Sequence, residues 1–143
     1  VRDRPLGDLD FDKMLRFFNT NAVGAMRVTE ALLPHLRRGK ARKVMHLTSR
    51  MGSISDNTSG GSYAYRASKA ALNMLNRSLS IDLAEEGFIC AVLHPGWVQT
   101  SMGGAAAPTP VRESTAGLVH LIDGLGRDDN GGFFDFTGKE LPW

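Results

Sequence analysis

The sequence predicts an α/β domain: a doubly wound parallel sheet, of which this chain supplies the run helix-strand-helix-strand-helix-strand. Three observations predict it. Apolar residues recur at helical spacing from about residue 10 to 37. Lys43 to Thr48 and Phe88 to Leu93 are short and mostly or wholly apolar, as strands covered on both faces are. Between them lies an alanine-rich helical stretch. This alternation implies right-handed crossovers, with helices on both faces of the sheet.

Residues Val1 to Leu9 read as a loop broken by Pro5 and Gly7. Asp8 and Asp10 are candidate N-caps for the first helix, 10 to 37. Phe11, Met14, Leu15, Phe18, Ala22, Ala25, Thr29, Leu32 and Leu33 form its expected buried stripe, and Pro34 marks its unwinding end. Asn21 interrupts the stripe with an amide that must find partners. After the first strand, Ser49 to Gly61 is a polar loop too long for a tight turn. The second helix, 62 to 86, is expected to stop at Gly87. His94-Pro95-Gly96-Trp97-Val98-Gln99-Thr100 follows the second strand. Ser101 to Pro110 is rich in Gly, Ala and Pro and is expected to form a mobile lid. A third helix over 111 to 125 and a strand over Phe133 to Phe136 complete the pattern.

The chain has 143 residues, enough for one compact domain with a real core and too few for two. Its formal net charge of +2 is nearly neutral. The one basic run, Arg37 to Lys43, falls between elements and reads as a solvated turn, so no nucleic-acid partner is expected. No apolar run approaches the roughly 18 residues that span a bilayer, and no charged-then-apolar leader opens the chain, so a cytoplasmic protein without membrane contact is expected. The single cysteine, Cys90, sits in an apolar run and reads as a buried, inert thiol. His35, His46, His94 and His120 show no metal-ligand spacing, so no metal is expected.

In the second helix, Tyr65 and Lys69 are four residues apart and share one face, one turn apart. A free phenol, with a pKa of roughly 10, carries protons poorly near neutrality, but a neighbouring cation favours its anion. The pair is therefore either an acid/base device or a core tyrosine beside a lysine reaching for solvent. Ligands in parallel sheets bind at the carboxyl ends of the strands. Ser49 follows one such end, His94 to Thr100 the next, and Tyr65 begins the helix between them, which favours the acid/base reading.

Tyr65-Arg66-Ala67-Ser68-Lys69, Asn21-Ala22-Val23-Gly24, Leu47-Thr48-Ser49 and Pro95-Gly96-Trp97-Val98-Gln99-Thr100 stand in the order of four family motifs. Together they make the chain resemble the C-terminal part of the short-chain dehydrogenase/reductase superfamily, with its Rossmann-like sheet. Gly52-Ser53-Ile54, the segment from His94 to Val98 and the ending Gly138 to Trp143 resemble its C-factor/sniffer-like carbonyl reductase branch.

The resemblance implies an NAD- or NADP-dependent oxidoreductase that interconverts a small-molecule carbonyl and alcohol. It implies that Tyr65 transfers the proton, Lys69 assists it and holds the cofactor ribose, and Ser49 orients the substrate oxygen. Asn21 would hold a relay water, and Pro95, Gly96, Trp97, Val98 and Thr100 would line the nicotinamide pocket. The family's usual serine-to-tyrosine spacing fits Ser53 instead, whereas counting from the strand end selects Ser49. Ser49 is preferred because strand ends are set by sheet register, whereas loops tolerate insertions.

The resemblance further implies a homodimer or tetramer formed through helices 10–37 and 62–86. The superfamily's glycine-rich cofactor turn is missing here, as Gly103-Gly104 and Gly131-Gly132 lack its spacing. Residues 1–143 are accordingly expected to be a single partial domain, inactive alone, with the choice between NAD and NADP made elsewhere. The alternative is a non-catalytic binding or intercellular-signalling protein of the C-factor type that keeps the reductase fold.

Overall fold

The computed structural model describes residues 5–143; Val1 to Arg4, the start of the expected N-terminal loop, lie outside them. Asp10 caps α1 (Phe11–Phe18), its Oδ1 accepting from the Lys13 amide at 2.8 Å. The expected helix over 10 to 37 is continuous but not uniform. A π turn over Asn19–Val23 separates α1 from α2 (Gly24–Arg38). Pro34 does not end the helix, which runs past it to Arg38. Pro34 and Glu30 are both exposed, so water is at hand for the carbonyl that the missing N–H leaves free.

The expected buried stripe holds only in part. Ala22 and Thr29 are buried, but Phe11, Leu15 and Leu32 are 69%, 68% and 48% exposed. Helical period marks a face as apolar without saying whether another layer covers it. α1 and the π turn pack on α3 (Tyr63–Asp82), and α2 packs on the first strand; their outer side has no cover among the described residues.

The strands are β1 (Lys43–Leu47), β2 (Ile89–His94) and β3 (Phe133–Asp135), all parallel and in the order β1-β2-β3. β2 is central and divides the core by its alternation. Ile89, Ala91 and Leu93 pack with Leu125 and Phe134 on the side of α4 (Val111–Gly124). Cys90 packs with Val44, Leu83 and Phe88 on the side of α2 and α3. The chain thus forms a three-layer α/β fold with a parallel sheet, as the alternation predicts.

α3 stops at Asp82 rather than near 86. Residues 83–87 are turns, and Gly87, at φ +78°, redirects the chain into β2 instead of capping the helix. The segment Ser101 to Pro110 folds back on the strand-end loop. The Gln99 amide donates to the Thr109 carbonyl at 2.9 Å, the Trp97 Nε1 donates to the Gly103 carbonyl at 2.8 Å, and Ala107 is buried.

Candidate active site

The carboxyl ends of β1 and β2 open into a cleft of about 570 Å³. Of the residues singled out in the sequence, Ser49, Tyr65, Pro95, Gly96, Trp97, Val98 and Thr100 line it, and Asn21 and Lys69 do not.

Ser49 reaches the cleft because the β1 ladder continues one residue beyond the strand, the Thr48 amide donating to the Leu93 carbonyl at 2.9 Å. Ser49 then caps a short 3-10 turn, Arg50–Gly52, with its Oγ accepting from the Met51 amide at 3.2 Å. That contact uses a lone pair and leaves the hydroxyl hydrogen to donate. Gly52 allows the turn to lie against α3, since a Cβ there would sit 2.9 Å from the Lys69 Cβ and backbone carbon. Ser53 is placed differently. It is buried, it accepts from the Asp56 amide at 3.1 Å, and it lines a separate pocket beside Tyr63 and Arg66.

Tyr65 stands in the first turn of α3, half-buried, its ring meeting that of Phe17 edge-on at 6.2 Å between centroids. The Lys69 Nζ lies 5.9 Å from the Tyr65 ring centroid and donates to the Leu47 carbonyl at 2.9 Å. Burial lowers the Lys69 pKa from its ordinary value, since desolvation penalises the charged form. Lys69 thus lies beside Tyr65 and the end of β1 and is not among the residues that line the cleft.

Asn21 likewise does not line the cleft. It lies in the π turn, a helix distortion often found at functional positions. Its Nδ2 donates to the Ser68 Oγ at 3.0 Å, and that hydroxyl donates to the Tyr65 carbonyl at 2.9 Å. Gly24 completes the Asn-x-x-Gly pattern for a steric reason: a Cβ there would press on the Asn19 carbonyl oxygen at 3.1 Å.

The strand-end loop is also held sterically. Gly96 has φ +87°, and a Cβ there would lie 2.9 Å from the Phe136 ring. Ser114 of α4 donates to the Pro95 carbonyl at 2.6 Å, tying the loop to the helix that closes the cleft. Ser114, Arg50 and His94 line the cleft without having been singled out as site residues. His94 was read as the first residue after the second strand, of which it is the last; Ser114 was not legible, because its partner is 19 residues away. The His94 Nδ1 is buried without a hydrogen-bond partner, and burial lowers its pKa. Asp135 opposes that shift, and Arg50 adds to it.

Among the described residues no group of three or more His, Cys, Asp or Glu is placed to hold a metal, and no helix is long and apolar enough to cross a membrane.

The family model described as short chain dehydrogenase matches residues 1–110. C-signal of Myxococcus xanthus is 56% identical over 138 residues, which cover 96% of this chain and 83% of that protein. A 1-hydroxy-2-glutathionyl-2-methyl-3-butene dehydrogenase of Rhodococcus sp. (strain AD45) is 41% identical over 143 residues, 96% of this chain and 62% of its own length. Carbonyl reductase Sniffer of D. melanogaster superposes with a TM-score of 0.96 at 37% identity, covering 100% of this chain and 62% of that one. NADPH-bound carbonyl reductase from chicken fatty liver gives a TM-score of 0.90 at 33% identity over 99% of this chain and 62% of that one. The chain thus spans 62% of the length of several relatives and more of C-signal.

Proposed function

Because the chain belongs to the short-chain dehydrogenase family, whose cofactor is NAD(P), we propose that its cleft interconverts a carbonyl and an alcohol with Tyr65 as the proton-transfer residue. The observation that carries this reading is the shared cleft of Ser49, Tyr65 and the Pro95 to Thr100 loop, with Lys69 beside Tyr65.

A carbonyl oxygen entering the cleft takes a hydrogen bond from the Ser49 hydroxyl, whose lone pair is already committed to the Met51 amide. Tyr65 donates its proton to that oxygen, or removes the proton of the alcohol in the reverse direction. The Lys69 charge, 5.9 Å from the ring, stabilises the negative charge that the proton leaves behind. Asn21 acts through Ser68, holding the first turn of α3 in place.

NAD(P) supplies or accepts the hydride when bound. The donors present suit its nicotinamide and ribose: the Lys69 ammonium beside the Tyr65 ring, the Tyr65 phenol, and a loop whose glycine lies close against Phe136 beside an apolar cleft. We assign Lys69 and Tyr65 to the ribose and Pro95, Gly96, Trp97, Val98 and Thr100 to the nicotinamide side. The described residues form no glycine-rich turn between a strand and a helix for the pyrophosphate, so NAD(P) binding by these 143 residues alone is expected to be weak.

The assembly we favour is a homodimer or tetramer of a cytoplasmic protein. Val28 and Leu32 on α2, with Met74 and Ile81 on α3, are exposed apolar side chains on the two helices expected to pair. A second reading is a C-factor-like signalling or binding protein, favoured by the 56% identity to C-signal. The retained set of Asn21, Ser49, Tyr65 and Lys69 favours catalysis, since a binding module has no need of all four.

Reduction of aromatic ketones by the complete protein separates the two. Tyr65→Phe should lower kcat by about a hundredfold or more, as loss of a general acid does, while NADPH affinity measured by calorimetry stays within a few-fold. Normal turnover in that variant would remove Tyr65 from the chemistry.

A further inference from the structure

The cleft walls are mainly apolar: Met51, Trp97, Val98, Met102, Val111 and Leu118 contribute most of the large side chains. Trp97 and Met102 remain largely exposed, leaving an apolar surface for a ligand to cover. Into this lining the fold places one charged side chain, Arg50, the residue that follows Ser49. His94 is the other titratable nitrogen base there, and burial disfavours its charged form.

Arg50 pairs with Asp56 through Nε on Oδ2 and Nη2 on Oδ1. The two side chains are 57% and 31% exposed, and a solvated pair of this kind holds its partners only weakly. Nη1 takes no part in it. Asp135 is the other carboxylate acting on Arg50, but its Oδ1 already accepts from the Thr137 amide and hydroxyl and from the Lys139 amide. The planar guanidinium fork suits a carboxylate better than any neutral group. A ligand carrying a carboxylate also buries its apolar body against these walls while it pairs with Arg50, a contribution that Asp56 does not make.

We propose that the substrate is an amphipathic carbonyl or alcohol bearing a carboxylate, and that Arg50 selects it by releasing Asp56 and binding that carboxylate beside Ser49. This rests on the carbonyl-reductase reading above and adds to it the chemistry of the substrate's far end.

The test compares 5-oxo-5-phenylpentanoate with its methyl ester as substrates of the complete protein with NADPH. The unaltered protein should prefer the acid by about tenfold in kcat/KM, through KM. Arg50→Gln should bring the acid-to-ester ratio to about one, and Asp56→Asn should raise it several-fold by freeing the guanidinium. A second readout is independent of turnover. With Trp97 retained and Trp143 and any other tryptophan of the complete protein replaced by Phe, 4-phenylbutyrate should quench fluorescence at concentrations about tenfold lower than in the same background carrying Arg50→Gln. Equal turnover of acid and ester, or an acid preference that survives Arg50→Gln, overturns the inference and leaves the reductase reading standing. Reduction of neither ketone overturns the reductase reading instead. The quenching then decides the carboxylate site: Arg50-dependent binding supports it, and Arg50-independent binding or none overturns it.

Discussion

Asn21 donates through Nδ2 to the Oγ of Ser68 at 3.0 Å, joining positions 47 residues apart in the chain. Ser68 is fully buried, and its own hydroxyl donates a hydrogen bond to the Tyr65 carbonyl. The π turn of the first helical rod is thereby tied to the turn of α3 that carries Tyr65. Asn21→Ala and Ser68→Ala should each cost about 1 kcal/mol of stability, the usual net worth of such a bond. The double variant should cost less than the sum, because both remove the same contact. Urea unfolding of the four proteins measures this, and strict additivity would mean that the bond contributes nothing.

Ser53 fits the spacing expected before Tyr65 and Ser49 the strand end, and the fold gives them different surroundings. Ser49→Ala should lower kcat by about a hundredfold, the typical effect of losing one donor to a developing oxyanion. Ser53→Ala should mainly affect stability, by about 1 kcal/mol, because it strands the Asp56 amide. Steady-state kinetics alongside urea midpoints separates them; the reverse pattern would move the catalytic assignment to Ser53.

His94 gives the fold an acid sensitivity. Its pKa in the folded state lies below the ordinary 6.5, first because it is buried. As the pH falls through 6.5 the unfolded chain takes up a proton that the folded chain refuses. Stability therefore falls from pH 6.5 towards the lower folded value, and it is unaffected by this group above that window. His94→Asn should flatten that part of a plot of urea midpoint against pH. An unchanged slope between pH 6.5 and 5 would assign the acid sensitivity to other groups.

Cys90 is wholly buried on the α2 and α3 side of β2, and burial pushes its thiol pKa up to about 11. The thiolate is the reactive form, so alkylation of the native protein by iodoacetamide at pH 8 should be slow and should track unfolding. Rapid modification of the folded protein would show that the sheet opens at this strand.

Much of the site was legible because its signals are local. The four-residue spacing of Tyr65 and Lys69 sets their helical face, and the apolar runs around Val44 and Val92 mark strands whose carboxyl ends must gather loops. The element order and the parallel sheet followed from the same periodicities. Local signals also misled: Phe11 and Leu15 have core spacing yet are exposed, and Pro34 sits inside a helix it was expected to end.

By itself, then, the amino-acid order determined which elements form, in what sequence, and which polar side chains stand at their ends. Tertiary structure decided which of those side chains meet. It brought Ser49 rather than Ser53 to the cleft shared with Tyr65, kept Lys69 and Asn21 out of that cleft's lining, and placed Arg50, His94 and Ser114 in its wall. The physical reason is range. Backbone propensity and side-chain period act over a few residues, whereas the contacts from Asn21 to Ser68, Lys69 to Leu47 and Ser114 to Pro95 exist only once the layers have packed.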